Sequence, residues 1–323
     1  MKKSINGSVM LEGLTFNQKW VSYLSAVQSC LSYQKVDISD GWLYGGTGLA
    51  FAINTNASGG GAIGWNWLCS TCDPEHPGMV LKLAPNVGFQ PRVIERCPQN
   101  KTEFKPEDAR AMAWALVRES LDNGIPCLGF HLDFTEFALI YGYDKVGYYY
   151  SGPASLEGAG PKPWQELGAD NVGWIHAESI APCKPASDET IVRDAINAVQ
   201  DRESPPYTAY DLWAEKLENG TLDPFGRCHD SAYWAECRTN AVDFLKEAKV
   251  RIDKADALFD EAIDHYSIVA KKLTIVSERN PFTDEEVKKG SISDTESAEL
   301  LREAGKAEKK GFDILGKIAS EIF

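Results

Sequence analysis

NGIPCLGFHLDFTEFALIYGYDKVGYYYSGP, residues 123–153, alternates short apolar runs with turn residues. Asn123-Gly124 reads as a helix stop. Three runs follow, at about 126–132, 136–143 and 147–151, each four to eight residues long, and the last two are rich in aromatic side chains. YDKVGYYY reads as the hairpin joining the last two. The segment therefore predicts three consecutive antiparallel strands, with His131, Asp133 and Glu136 clustered where the first strand meets the second.

Upstream, Pro106 to Asp122 reads as a helix, because proline suits a first turn and Met112, Leu116 and Leu121 recur at helical spacing. Residues 15–33 read as another, with Asn17 as its cap and Trp20, Leu24, Val27 and Leu31 as its buried stripe. Between the two lies WLYGGTGLAFAIN, an apolar run with Gly45, Gly46 and Gly48 inside it, which reads as a strand approached by a glycine turn. It lacks the spacing of a phosphate-binding loop. Downstream, Trp164 to Ile180 adds a turn and a strand. The composition changes at APCKPAS (181–187), and beyond it the pattern is helical. One helix carries Ile191, Ala195, Ile196 and Val199, and another Tyr210, Trp213, Ala214 and Leu217. A long pattern runs from Ala232 to Val276, and a last helix spans about 293–322. The expected class is α+β: a domain over 1–183 with an antiparallel sheet on a central N-terminal helix, then an all-helical bundle over 184–323.

Composition bounds the function. Of 323 residues, 43% are hydrophobic and 25% charged, so a sizeable core is available. The net charge of −14 argues against a nucleic-acid partner and favours cationic ones. No apolar run is long enough to span a membrane. The N-terminus is a poor secretory signal, which makes a cytoplasmic location the default expectation. The eight cysteines are then expected to be reduced. Cys69 and Cys72 form a CxxC, but no second pair stands at zinc-site spacing, so neither a metal nor a cofactor is expected.

The order of a helix ending in LSY, then DISDGWLYGGTGLAF, a second helix, NGIP, ALIYGYD and YYYSGP resembles the N-terminal domain of butirosin-biosynthesis protein H and its relatives. These belong to the papain-like group that includes the C39-type peptidases. The resemblance covers about residues 10–180. It implies a papain-like fold with a cysteine at the start of the first helix, a histidine opening the strand that leads to the GYD turn, and an orienting acid after the next strand. Here the nucleophile slot falls at Trp20 or Val21. The histidine slot falls at Glu136, six residues before Gly142, and the acid slot within Ser151-Gly152-Pro153. Cys30 lies about 15 Å further along the first helix, at 1.5 Å per residue. A cysteine–histidine mechanism needs a base within reach of the thiol, and these positions supply neither.

Three readings follow. In the first, a papain-like domain without its catalytic triad binds a small cationic metabolite through Trp20, His131, Asp133, Glu136, Tyr141 and Trp42. Carboxylates and aromatic faces suit an amine, and the butirosin relative acts on an aminoglycoside, itself a polycation. In the second, Glu136 and Asp133 serve as an acid/base pair in an acyltransferase, amide hydrolase or lyase. In the third, the helical half is a partner-binding or homodimerising surface. Trp65 and Trp67 add to the aromatic residues expected near Glu136.

Overall fold

A computed structural model describes residues 2–5, 7–53, 78–97, 104–202 and 204–322. Cys69, Cys72, Trp65 and Trp67 lie outside them. The chain divides into two compact units: Met1–Ile38 with Asn66–Pro185, and Ser39–Trp65 with Ala186–Phe323. Among the described residues no helix is long and apolar enough to cross a membrane.

The first unit holds an eight-stranded sheet, antiparallel at every pairing. Its strands are β1 (Lys2–Ile5), β2 (Ser8–Leu11), β3 (Phe89–Arg96), β4 (Cys127–Phe130), β5 (Phe137–Tyr143), β6 (Gly147–Gly152), β7 (Ser155–Pro163) and β8 (Ile175–Pro182). The order runs β1-β2-β5-β4-β8-β3, with β6 and then β7 branching from β5. β5 is the hub. β6 follows one edge of it, while β4 and then β2 share the other. The three strands read in residues 123–153 are all present. β1, β2, β3 and β7 carry weaker patterns and were not anticipated. β3 carries Pro91, and β7 contains Gly158, Gly160 and two prolines.

Two helices sandwich the sheet. α1 (Ser22–Tyr33) covers the face of Glu178, because Tyr23 reaches that carboxylate. α4 (Pro106–Asp122; α2 belongs to the second unit and α3 is Met79–Val87) covers the opposite face. There Glu119 pairs with Arg92, and Arg92 lies across from Ser179. Pro106 opens α4 and Asn123-Gly124 closes it as expected. The Gly124 φ of +76° permits the Ile125 N–H to return to the Ser120 carbonyl at 2.9 Å. Between Ile140 and Gly142 the β5–β6 register slips, leaving Tyr141 as the extra residue of a bulge. The slip turns Tyr143 and its partner Tyr148 towards Trp114 of α4, at ring separations of 5.6 and 5.3 Å.

Some expectations need correction. α1 begins at Ser22, and its N-cap is Val21 without a capping side chain. The Asn17 N–H instead donates to Ser29 Oγ at 3.0 Å, so residues 17–19 fold back along the helix. The predicted strand at WLYGGTGLAFAIN is helical: α2 (Asp40–Gly46), then a single 3-10 turn at Leu49–Phe51. Ser39 caps α2 by accepting from the Trp42 N–H at 3.0 Å. Cys97 is disulfide-bonded, contrary to the expectation of eight reduced thiols, while Cys30, Cys127, Cys183, Cys228 and Cys237 are free.

The second unit packs α2 among α5 (Asp188–Gln200), α6 (Ala209–Glu218), α7 (Ser231–Ile252), α8 (Asp256–Arg279), α9 (Asp284–Lys288) and α10 (Thr295–Ile322). The long pattern from 232 to 276 is broken into α7 and α8 by Asp253 and Ala255, both in the left-handed region at φ of +51° and +55°. α2 lies against α7 so closely that a Cβ on Gly45 would stand 2.0 Å from the Phe244 ring. Arg238 of α7 is wholly buried. It grips Glu308 of α10 with two nitrogens, at 3.0 and 2.6 Å, and donates to the Ala50 and Ala52 carbonyls at 2.9 and 2.7 Å.

Candidate functional site

The first turn of α1 meets the turn between β4 and β5. Ser22 is the first helical residue, and its hydroxyl donates to a carboxylate oxygen of Glu136. The Ser22 hydroxyl oxygen in turn accepts the Phe137 N–H at 3.2 Å. Ser22 is only 4% exposed, while Glu136 is half-buried. Ser22 thus stands one residue past the slot, Trp20 or Val21, where the resemblance implies a thiol, and Glu136 stands at the position where it implies an imidazole. Ser151, in the third slot, donates to the Leu156 carbonyl at 2.9 Å.

Around this contact the expected site residues separate. His131 does not continue β4. It is left-handed at φ +53°, its N–H donates to the Glu136 carbonyl at 3.0 Å, and its Nδ1 lies 2.9 Å from Asp170 Oδ2. That contact has ion-pair distance but not hydrogen-bond geometry. Asp133, also in the turn and not on the strand, accepts from the Ser155 hydroxyl. Asp133 and Glu136 therefore hold different partners, and His131 and Asp133, both beyond the end of β4, do not share a strand face. Trp20, two residues before Ser22, is 39% exposed, and Phe134, two residues before Glu136, is 40% exposed. Tyr141 occupies the bulge beside Tyr149, at a ring separation of 6.5 Å. Trp42 belongs to the second unit, buried against Phe244 with the Arg251 guanidinium 4.0 Å over its ring.

Beneath Ser22 and Glu136 lies a cluster of polar side chains that the sequence reading missed. His176 and Glu178 of β8 are fully buried. His176 Nε2 is 3.2 Å from Glu178 Oε2, and its Nδ1 is 3.6 Å from Glu95 Oε1 on β3, too long for a hydrogen bond. The two carboxylates approach different ring nitrogens, so the three side chains do not converge on one point. The Tyr23 hydroxyl donates to Glu178 Oε1 at 3.0 Å, and Trp174 Nε1 donates to Glu95 at 2.7 Å. Phe137 closes the cluster, its ring 5.0 Å from Tyr23 and 5.2 Å from His176. Burial alone would push the imidazole down. The bond to Glu178 and the charges of Glu178 and Glu95 outweigh it and raise the ring to about 9. Burial also raises the Glu178 carboxyl, against the opposing pull of His176 and Tyr23.

Ser22 had a signal in the sequence. WVSYLSAVQS places a serine one residue past the position obtained by counting back from LSY, and a hydroxyl there carries no family signature. The cluster's signal was I-H-A-E-S-I, residues 175–180, where His176 and Glu178 share one strand face. Alternation of that kind usually marks a solvated face.

No protein-family model matches the sequence, and no curated protein matches it.

Proposed function

We propose that the first unit is a papain-like domain that has exchanged thiol catalysis for binding, and that it takes a small cationic ligand at the Ser22–Glu136 end of α1. The observation that carries this reading is the Ser22 hydroxyl held on the Glu136 carboxylate, with neither a thiol nor an imidazole in the contact. An organic ammonium group replaces the serine hydroxyl as the stronger partner for Glu136. Exposed Trp20 and Phe134 offer aromatic faces to the same charge. Asp133 and Asp170 add negative potential nearby, and the chain's charge of −14 favours encounter with cations.

Titration calorimetry with spermidine and with an aminoglycoside tests it. Glu136→Gln is expected to weaken binding about tenfold, the worth of one charge-assisted hydrogen bond. Equal affinity in the variant, or binding confined to neutral and anionic probes, overturns the reading.

A further inference from the structure

Two pairs of consecutive residues tie the candidate site to the buried cluster. On α1, Ser22 holds Glu136 while Tyr23 holds Glu178. On β5 and the turn before it, Glu136 receives Ser22, while Phe137 donates its N–H to Ser22 and lays its ring on both Tyr23 and His176. The upper contact, Ser22–Glu136, and the lower one, Tyr23–Phe137, are therefore made by adjacent residues on the same two segments. A helix whose first turn is anchored by two adjacent hydroxyls on two different carboxylates has little freedom to shift at one without the other.

The lower contact is also the more demanding. Two carboxylates and an imidazole are enclosed by Phe130, Phe137 and Trp174. Burial of charges at this density is costly unless each is paired, and replacement by apolar side chains is often neutral or stabilising. A role in holding the site gives the arrangement a reason that core stability alone does not.

We propose that Tyr23, Glu178 and His176 are positioning residues for the Ser22–Glu136 site, and that the proton on His176, acting through Glu178 and Tyr23, sets where the first turn of α1 holds the Ser22 hydroxyl. The proposal rests on the reading of that contact as a ligand site. With the proton in place, His176 neutralises one carboxylate, and Glu178 keeps one oxygen for the imidazole and one for Tyr23. When the proton leaves, the imidazolium no longer offsets the charges of Glu95 and Glu178. With the cationic charge gone, Glu178 draws harder on the Tyr23 hydroxyl, and the turn follows. The other titratable groups facing the pair are the Cys30 thiol on α1 and the Cys127 thiol on β4, both of which reach Glu178 and are pushed up by burial. By linkage, a cation that draws Glu136 away from Ser22 alters the hold on the buried proton by the same factor.

The test is an NMR titration of the full chain without ligand, following the His176 ring together with the Ser22 Cβ and amide resonances. In the wild type, Ser22 is expected to shift with the midpoint of the His176 ring. In Tyr23→Phe, which keeps the ring and removes only the hydroxyl, His176 still titrates and the Ser22 response is lost. A flat Ser22 signal through the wild-type His176 transition, or a response that survives unchanged in Tyr23→Phe, overturns the proposal. The wild-type arm needs no variant to fold. Because no ligand is present, failure of spermidine or aminoglycoside binding would count against the proposed function and leave this coupling standing or falling on its own.

Discussion

Ser22 has three obligations in one hydroxyl: it begins a helix, satisfies a strand amide and occupies a carboxylate. Removing it leaves the buried Phe137 N–H without its acceptor and takes one donor from Glu136. Ser22→Ala is therefore expected to lower unfolding stability by roughly 1–3 kcal/mol, the cost of stranding buried polar groups. Urea denaturation followed by tryptophan fluorescence checks it. A change inside experimental error would mean that water replaces the hydroxyl. At this scale the sequence was legible only in half. Glu136 follows from counting back along a strand, because strand positions keep their register with the GYD turn. Ser22 escaped because a helix start is fixed by where the chain stops folding back. Here that depends on the Asn17–Ser29 contact, which joins residues twelve apart.

Among elements, α2 shows how packing overrides a local pattern. Its sequence, DGWLYGG, contains three glycines in seven residues and would be a poor helix in water. It is held by the Ser39 cap and by its seat on α7, where Gly41 and Gly45 let the two backbones meet. The apolar run suggested a strand because short buried segments look alike in either conformation. The same closeness makes the seat intolerant. Gly45→Ala drives a methyl into the Phe244 ring and is expected to cost about 3 kcal/mol, the upper part of the overpacking range. The melting temperature should fall accordingly, and an unchanged value would show that Phe244 yields. Residues 123–153 were legible for the opposite reason: each strand there is bounded by its own turn residues, so local chemistry and tertiary structure agree.

For the molecule as a whole, the buried cluster ties stability to pH. Both His176 and Glu178 hold protons more tightly folded than unfolded. The histidine's contribution is fully present below its unfolded value of about 6.5, and it is lost as pH rises through about 9. Asp294, the cap of α10, works at the other end of the scale. Burial raises its carboxyl, but Arg279 and Ser297 outweigh that and hold it at about 2. Its contribution is present above about 4 and fades as pH falls towards 2. Denaturation midpoints measured from pH 6 to pH 10 should decline, and His176→Gln should flatten the decline. An equally steep fall in the variant would assign it to other groups. A composition change after Cys183 can suggest one boundary along the chain. It cannot show that residues 39–65 are grouped with the helices, because that grouping depends on contacts such as those of Arg238 with Ala50 and Ala52.

Those two carbonyls also bear on inheritance. A gene cut at codon 186 would look like a clean separation of a sheet domain from a helical one, yet residues 186–323 expressed alone would carry a buried arginine with two donors and nothing to receive them. The fragment is expected to be insoluble or molten, as judged by near-ultraviolet circular dichroism, and a separate peptide spanning 39–65 should restore its native signal. The helical half is therefore not a cassette that recombination can move by itself: its first segment is encoded before most of the sheet has been translated.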